Sequence, residues 1–575
     1  MSELSARARR LPLALLIVAA ACFLGLGLSE AHTDSPTYDE PVYVSAGLAA
    51  LLHHDLTYNA EHPPLPKALA ALPVLLAHPV VPPNGAWAGN DERDYSATFA
   101  RAQLTAGRLD RVTFASRLVP LAETIGVAFA AYALAVELFG AAARRPRAAP
   151  GPDTADPHDG SAGDSRVGAV AGAFAGLLWL ASPLVLGIGH VNGTDMPFAL
   201  AVTLNSWALA RWLRLRTTKA LIWAGVAMAA TAGTAISGAF VVLASLAVIL
   251  GVSWRSGLRH ALRNVVIAGV VAWAGLWIPY VILDPSVLTH LTVVAPKPYL
   301  DGFSYLRSYD AGGFPGYVAG IAYTGSRWWF WPVSLVIKYP AVTLALLVGG
   351  AVAWFWSPGK ARVALAVWLP AIVLTAFTVS SPLNIGVRLL LPVMALWAVA
   401  ASALVPLLLG ARTVWRRSLS GAVAVLLAVG LAGTALSFPT SLAWSAAPFR
   451  PAYAEVTDSN VDWGQGFAAL RAWSRGKDPW VTYFGPRGLS EADVPGARTL
   501  LNTPPSQITG WVAVSATALT STYRTQLGWL RNYCPVDVLA GSILIYRFQR
   551  PPTDLPAPAR PPSPCPGAWS SGPVG

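Results

Sequence analysis

Asn384-Ile385-Gly386-Val387-Arg388 leads into Leu389-Leu390-Leu391-Pro392-Val393-Met394-Ala395-Leu396-Trp397-Ala398-Val399-Ala400-Ala401-Ser402-Ala403-Leu404-Val405-Pro406-Leu407-Leu408-Leu409, a run with no charge after its first arginine. About 20 such residues in a helix cross the hydrocarbon core of a bilayer, so this stretch reads as a membrane span with a cation at one end. Similar runs recur at Leu11–Ser29, Leu118–Phe139, Val167–Ile188, Met196–Leu213, Ala220–Thr234, Gly238–Val252, Val265–Leu283, Phe330–Trp356, Val363–Val379 and Gly421–Phe438. The expectation is an α-helical polytopic membrane protein with about eleven transmembrane helices. Composition agrees: of 575 residues 54% are hydrophobic and 12% charged, against about 25% charged in soluble domains. An ordinary soluble protein is excluded.

Threading the runs alternately through a bilayer puts the N-terminal arginines, Arg144/Arg145/Arg147, Arg211/Arg214/Arg216/Lys219, Arg255/Arg259/Arg263, Lys360/Arg362 and Arg412/Arg416/Arg417 on one side. Basic loops stay cytoplasmic, so the net charge of +12 encodes topology, and no nucleic-acid partner is expected. The first run follows Arg7, Arg9 and Arg10 like a signal peptide but reads as an uncleaved first helix. The other side, reading as external at a plasma membrane, receives residues 30–117, 189–195, 284–329 and 380–388 and everything after Phe438. The long first loop carries amphipathic stretches at Val42–Leu52 and Leu65–Leu76 suited to the interface.

Residues 1–438 thus read as the membrane domain, with 141–166, rich in Ala, Pro and Gly, as a flexible cytoplasmic linker. Residues 440–550 read as a small external α/β domain with helices at Trp463–Trp473 and Thr525–Asn532 and strands at Trp480–Phe484, Trp511–Ser515 and Ile543–Phe548. Residues 551–575 read as a Pro-rich disordered tail. Cys534 and Cys565 share the oxidising side and could pair, while Cys22 sits mid-span; three cysteines support neither a disulfide scaffold nor a Cys-rich metal site.

Polar residues gather at the outer boundary. Asp39-Glu40, before Pro41, either open a helix whose dipole favours acidic residues or supply a general base for an acceptor hydroxyl, a role worth about 10²–10⁴-fold. Glu61-His62-Pro63-Pro64-Leu65-Pro66-Lys67 is a turn before a helix, with Lys67 either a phosphate contact or snorkelling to the interface. His190-Val191-Asn192-Gly193-Thr194-Asp195 ends one span and opens the next; Asp195 fits a helix cap, yet His190, Asn192 and Asp195 lie at the depth where ionisable groups are functional candidates. Arg388, an outside arginine, suits bidentate phosphate recognition, and Lys338 is a cation inside an apolar run; either could meet a phosphate or a carboxylate. Trp328-Trp329-Phe330-Trp331 reads most simply as an interfacial aromatic belt, with stacking on a sugar ring as the alternative. No nucleotide-binding fingerprint, zincin motif or nucleophile elbow occurs in a fitting context.

The Asp-Glu pair after the first span, the acidic-x-Pro-Pro turn, Thr194-Asp195-Met196-Pro197, Asn384-x-Gly386-Val387-Arg388 and Asp458-Ser459-Asn460-Val461-Asp462-Trp463-Gly464-Gln465 together resemble the GT-C glycosyltransferases. Within them the chain is similar to the protein O-mannosyltransferase and aminoarabinose transferase superfamily, the glycosyltransferase family 39-like, phospholipid carrier-dependent branch. The resemblance implies sugar transfer from a polyprenyl-phosphate donor to a protein, lipid or glycan acceptor at the outer face, with inversion. It implies Asp39 as base, Glu40 as its orienting or sugar-binding neighbour, Glu61, His62, Asn192 and Asp195 around donor and acceptor, and Lys67, Lys338 and Arg388 as phosphate contacts. His62 stands where the aminoarabinose branch has a phosphate-binding lysine, so Lys67 would substitute, and Gly233-Thr234-Ala235-Ile236-Ser237 lacks the lysine many relatives carry there. Convergent carboxylates leave a divalent cation open, with no ligand spacing that fixes one. The alternative is a flippase or transporter of a lipid-linked sugar, which predicts internal repeats and midplane acids. A scaffold would leave Asp39, Glu61 and Asp195 unexplained.

Overall fold

The computed structural model describes residues 2–82, 92–140, 159–290, 292–310, 313–356, 361–409 and 413–552. Helices occupy every expected span, but they are not uniform crossings. Among the described residues five are long and apolar enough to cross a membrane: Arg10–Thr33, Leu109–Phe139, Leu258–Leu283, Val387–Leu409 and Val414–Ser437. Arg166–Leu180 and Pro183–Gly189 make a sixth if a pair bent by 70° is one span, and Pro64–Leu76, Gly238–Trp254, Ala341–Trp354 and Ala364–Ser380 are shorter apolar helices. The chain is membrane-embedded, and among the described residues its apolar helices are a mixture of long, bent and short ones.

Proline explains two of the differences. The single span expected over Phe330–Trp356 is two helices, Phe330–Lys338 and Ala341–Trp354. Pro340 has no N–H and forces the residue before it to be extended, and Tyr339 sits at φ −113°, ψ 140°. At the 70° bend Ser182 is extended and its hydroxyl accepts the Val185 N–H at 3.4 Å, starting a new helix with Pro183 at the first position. The tight turn between Thr218–Thr234 and Gly238–Trp254 needs its glycine for space: a Cβ on Gly238 would lie 2.1 Å from the Thr231 carbonyl oxygen.

The long segment after the first helix folds into Glu40–His53, Pro64–Leu76 and Glu92–Thr105. The first of these is mostly buried rather than lying in an interface, since Val44 and Leu48 pack with Ala71, Val74, Phe99 and Val112. A helix at Lys297–Asp310 and a hairpin pairing Pro315–Val318 with Ile321–Thr324 occupy the loop before Trp328. In that belt Trp328 is exposed while Phe330 and Trp331 are buried.

After Thr440 the chain forms a five-stranded sheet in the order Arg498–Thr499, Trp480–Thr482, Gly510–Ser515, Ile543–Phe548, Asp537–Leu539. The first three strands are parallel and the last two pair antiparallel, with Trp480 and Tyr546 flanking Val512. The expected helix from Trp463 begins at Phe467, because Gly464 holds φ 103° and turns the chain. The second expected helix is split into Arg524–Leu527 and a 3₁₀ turn, Gly528–Asn532. One hydrophobic core runs from Leu391 and Val399 through Trp463 to Val512 and Tyr546, so the sheet is packed onto the membrane helices. Cys534 is disulfide-bonded and Cys22 is free; Cys565, most of the tail, and most of the 141–166 linker lie outside the described residues.

Candidate functional site

The loop after the first helix is held by an arginine from inside an apolar helix. Arg117 is fully buried and its guanidinium gives Nε and Nη2 to the two carboxylate oxygens of Glu40 at 2.8 and 2.6 Å. Its remaining donors reach the carbonyls of Ala31, Asp34 and Ser35 at 3.1, 2.7 and 2.8 Å. Glu40 also accepts the backbone N–H of Thr37 at 2.7 Å and of Asn192 at 3.0 Å. Burial alone would raise the Glu40 pKa, but Arg117 and these N–H donors outweigh it and hold the carboxylate below its ordinary range. Glu40 is 1% exposed, so it orients the loop and has no surface left for a sugar.

That loop presents Asp39 to Arg388. Arg388 Nη2 lies 3.4 Å from Asp39 Oδ2 and Nη1 lies 2.9 Å from Asp195 Oδ2, while Nε donates to Ser459 Oγ at 3.0 Å. Its guanidinium carbon stands 4.1 Å from the centre of the Trp463 ring, a cation–π seat. Arg388, expected as a phosphate contact, is therefore committed to two carboxylates, a hydroxyl and a ring. Asp39 keeps 28% of its side chain exposed and Asp195 8%. Asp195 is the first residue of the helix Asp195–Leu215, with Thr194 rather than Asp195 at the cap position, and its carboxylate is engaged by Arg388.

The octapeptide Asp458–Gln465 is the bracket around this cluster. Ser459 Oγ donates to the Ile385 carbonyl at 2.9 Å, Asn460 Oδ1 accepts the Val387 N–H at 3.0 Å, and the Trp463 and Gln465 carbonyls accept the N–H groups of Tyr38 and Ser35 at 2.8 and 3.0 Å. Thr517, from the sheet domain, gives its N–H to Asp462 Oδ2 at 2.9 Å. Gly386 is close-packed here: a Cβ on it would sit 2.2 Å from Ser459 Oγ. Lys338 supports the same bracket from below, its ammonium fully buried and donating to the carbonyls of Leu442 at 2.8 Å, Asn460 at 2.5 Å and Trp444. It is a structural pin in this geometry and not a phosphate contact.

Beside the cluster opens a cavity of about 330 Å³ lined by the polar side chains Glu61, His62, Asp195 and Arg307 together with the apolar Phe240, Phe377, Leu374, Leu389 and Pro392. Asp195 belongs to both cavity and cluster. Glu61 accepts from Asn59 Nδ2 at 2.7 Å, and burial pushes the His62 imidazole down to about 4, with Glu61 opposing and Lys67 reinforcing the shift, so it stands neutral near pH 7. Lys67, the expected substitute cation, is 4% exposed and donates to the carbonyls of Asn59 at 2.6 Å and Tyr58 at 3.4 Å; it does not line the cavity. Asn192 is buried and reaches the site through its backbone alone, with its Nδ2 unpaired among the described residues. His190 lies behind, between Glu30 at 3.9 Å and Asp34 at 3.4 Å. Arg307, from the helix Lys297–Asp310, is the cation that faces the cavity. Sequence reasoning passed over it because a lone arginine in a polar loop carries no periodic or motif signal.

Among the described residues no group of three or more His, Cys, Asp or Glu side chains is placed to hold a metal ion; Asp39 and Asp195 meet an arginine instead. No protein-family model and no curated protein matches this chain. Among solved structures it is similar to ArnT from Cupriavidus metallidurans in the apo state, at 14% identity and a TM-score of 0.41 over 93% of this chain and 97% of that one. It is also similar to the same protein bound to undecaprenyl phosphate, at 17% identity and a TM-score of 0.38 over 74% and 72%.

Proposed function

We propose that this chain is an integral-membrane glycosyltransferase that moves a sugar from a polyprenyl-phosphate donor to an acceptor hydroxyl or amine on the outer face, with Asp39 as the base. The observation that carries the reading is the shared wall at Asp195, where the Asp39–Arg388–Asp195 cluster meets a cavity lined by both charged and apolar side chains. A lipid-linked sugar combines the same two characters: its headgroup suits Glu61, His62 and Arg307, and its isoprenoid chain suits Phe240, Leu374 and Phe377.

Arg307 takes over the phosphate contact expected of Lys67, Lys338 and Arg388. A guanidinium can bind two phosphate oxygens at once, which favours departure of the phosphate as charge develops on it. Glu61 and Asp195 accept hydrogen bonds from sugar hydroxyls. The acceptor oxygen bonds to the anomeric carbon as the bond to the phosphate oxygen breaks, the electron pair leaving with the phosphate, and Asp39 takes the acceptor's proton. Attack from the face opposite the leaving group inverts the anomeric centre. Arg117–Glu40 and the Asp458–Gln465 bracket fix the reacting carboxylate on rigid backbone, which is where most of the advantage of positioning arises. In this reading the N-terminus is cytoplasmic and the cavity mouth and sheet domain are external.

The test is release of labelled sugar from polyprenyl-phosphate donors by the purified chain in lipid nanodiscs, with water as the acceptor, comparing wild type with Asp39→Asn. Turnover by wild type that the variant loses, with nucleotide sugars inert, supports the proposal. Donor binding or translocation without cleavage in either form would replace it with a lipid-linked sugar flippase.

A further inference from the structure

The helix that begins beside Asp39 carries a second side chain into the site, one that the transfer step does not use. Tyr43 stands one turn after Asp39, its N–H donating to the Asp39 carbonyl at 3.2 Å, and residues four apart in a helix share a face. The Tyr43 side chain is buried, and its hydroxyl makes no hydrogen bond among the described residues. Its ring is placed by packing against two segments that line the cavity. On one side its centre lies 5.4 Å from that of the His62 imidazole, with the planes tilted by 52°. On the other, Tyr43 Cε2 comes within 3.9 Å of the point that a Cβ on Gly193 would occupy, and Asp195 Oδ2 within 3.7 Å of the same point.

His62 is a side chain that needs such a neighbour. It borders the cavity of about 330 Å³ and also a second one of about 10 Å³ that it shares with Tyr58, Lys67 and Tyr280. Its ring nitrogens make no hydrogen bond among the described residues, and the torsion that sets the plane of an imidazole has broad minima. A neutral imidazole has one donor and one acceptor nitrogen, so turning the ring over exchanges what it offers to a sugar hydroxyl. We propose that Tyr43 is a positioning residue whose ring holds the His62 imidazole in the orientation that hydrogen-bonds the donor's sugar, in register with Asp39 one turn earlier. The inference rests on the glycosyl-transfer reading, in which His62 meets the sugar headgroup. Tyr43 takes no part in bond making or breaking and acts through His62. One helix start then sets the base directly and the sugar contact through Tyr43, which ties the anomeric carbon's position to that of Asp39.

The test uses the full chain in nanodiscs and the same sugar-release assay, with Tyr43→Leu, Tyr43→Phe, His62→Ala and the double variant Tyr43→Leu/His62→Ala. All are measured below the temperature at which the least stable of them melts. Tyr43→Leu is expected to raise the donor KM about 2- to 10-fold, the worth of one neutral hydrogen bond, and His62→Ala to raise it as far. Because the two side chains act as one, the double variant should be no worse than His62→Ala alone. Tyr43→Phe, which keeps the ring, should rescue the loss seen in Tyr43→Leu. A merely structural Tyr43 would lower the melting temperature without that coupling in KM. A wild-type KM in Tyr43→Leu or in His62→Ala would overturn the proposal. So would losses that add in the double variant, or a KM raised by Tyr43→Phe, since the ring and not the hydroxyl is assigned the role. Absence of turnover in wild type would instead remove the glycosyl-transfer reading beneath it.

Discussion

Replacing Glu40 with Gln tests whether the buried pair with Arg117 builds the site. The two side chains are 1% and 0% exposed, so neither can recover hydration when the other is removed. Glu40 accepts four hydrogen bonds: Nε and Nη2 of Arg117 and the N–H groups of Thr37 and Asn192. Glutamine keeps one oxygen for two of these and turns an N–H₂ toward the donors of the others, leaving a guanidinium uncompensated in the interior. Breaking one partner of such a pair costs about 3–5 kcal/mol, a large share of the roughly 5–15 kcal/mol that holds a typical protein folded. The sign with pH follows from the Glu40 carboxyl lying below its ordinary 4.5 in the folded chain: its stabilisation is complete above that value and fades as pH falls through the lower folded one. At neutral pH the full loss is therefore expected. Thermal unfolding in nanodiscs, followed by tryptophan fluorescence, should show Glu40→Gln melting well below wild type, with sugar release impaired even at temperatures where the variant is folded. Glu40→Leu combined with Arg117→Met should recover much of the melting temperature, since an apolar pair of similar size avoids the desolvation cost, but not the activity. Glu40→Gln melting with wild type, or retaining full sugar release, would refute the reasoning.

Other outcomes follow from neighbouring contacts. Arg307→Ala should raise the donor KM about 10- to 150-fold, the worth of one hydrogen bond to a charged group at about 1.5–3 kcal/mol, while melting stays unchanged; sugar-release kinetics over a donor series decide it. Lys338→Met should strand the carbonyls of Leu442, Trp444 and Asn460 at about 1–3 kcal/mol for each buried group left unsatisfied, lowering the melting temperature without a selective effect on donor KM. Burial pushes the Asp462 carboxyl up to about 7, against the pull of Thr517 and Gly464 N–H groups. Stability should therefore fall as pH rises from about 4 to 7, and Asp462→Asn should flatten that part of the melting profile.

Most of the membrane helices could be read directly, because an apolar run of the right length has few other uses in a chain this poor in charge. The breaks inside them could be read only in part: Pro340 and Pro183 are visible, but several helices also carry internal proline unbroken, as Pro120 and Pro279 do. Asp39, Asp195 and Arg388 could be singled out as charges at span ends, yet not as partners, since their separation in sequence gives no hint that they touch. Arg117 was overlooked because it stands one residue before the apolar run Leu118–Phe139 and looks like a solvated end, whereas the helix begins at Leu109 and carries it inside. Lys67 and Lys338 look like ligand contacts from their type and place; what they bind instead are backbone carbonyls, which every residue has and no motif marks. The octapeptide at Asp458 was conspicuous as a string, and its work became visible only through the loops it joins.

Those junctions bear on how the molecule comes into being. Asp39 waits for Arg388, 349 positions later, and the Ser35 hydroxyl waits for Ala468, 433 positions later. While the chain is being synthesised, the early helices can enter the bilayer with the acidic loop already made, but its grip on the rest is missing until the last helix is inserted and the sheet domain has begun to fold. Contacts between such distant parts form late. An unfinished or truncated copy would carry the carboxylate without the arginine that governs it, so quality control is built into assembly order: the site comes into existence only in a molecule whose final segment has arrived.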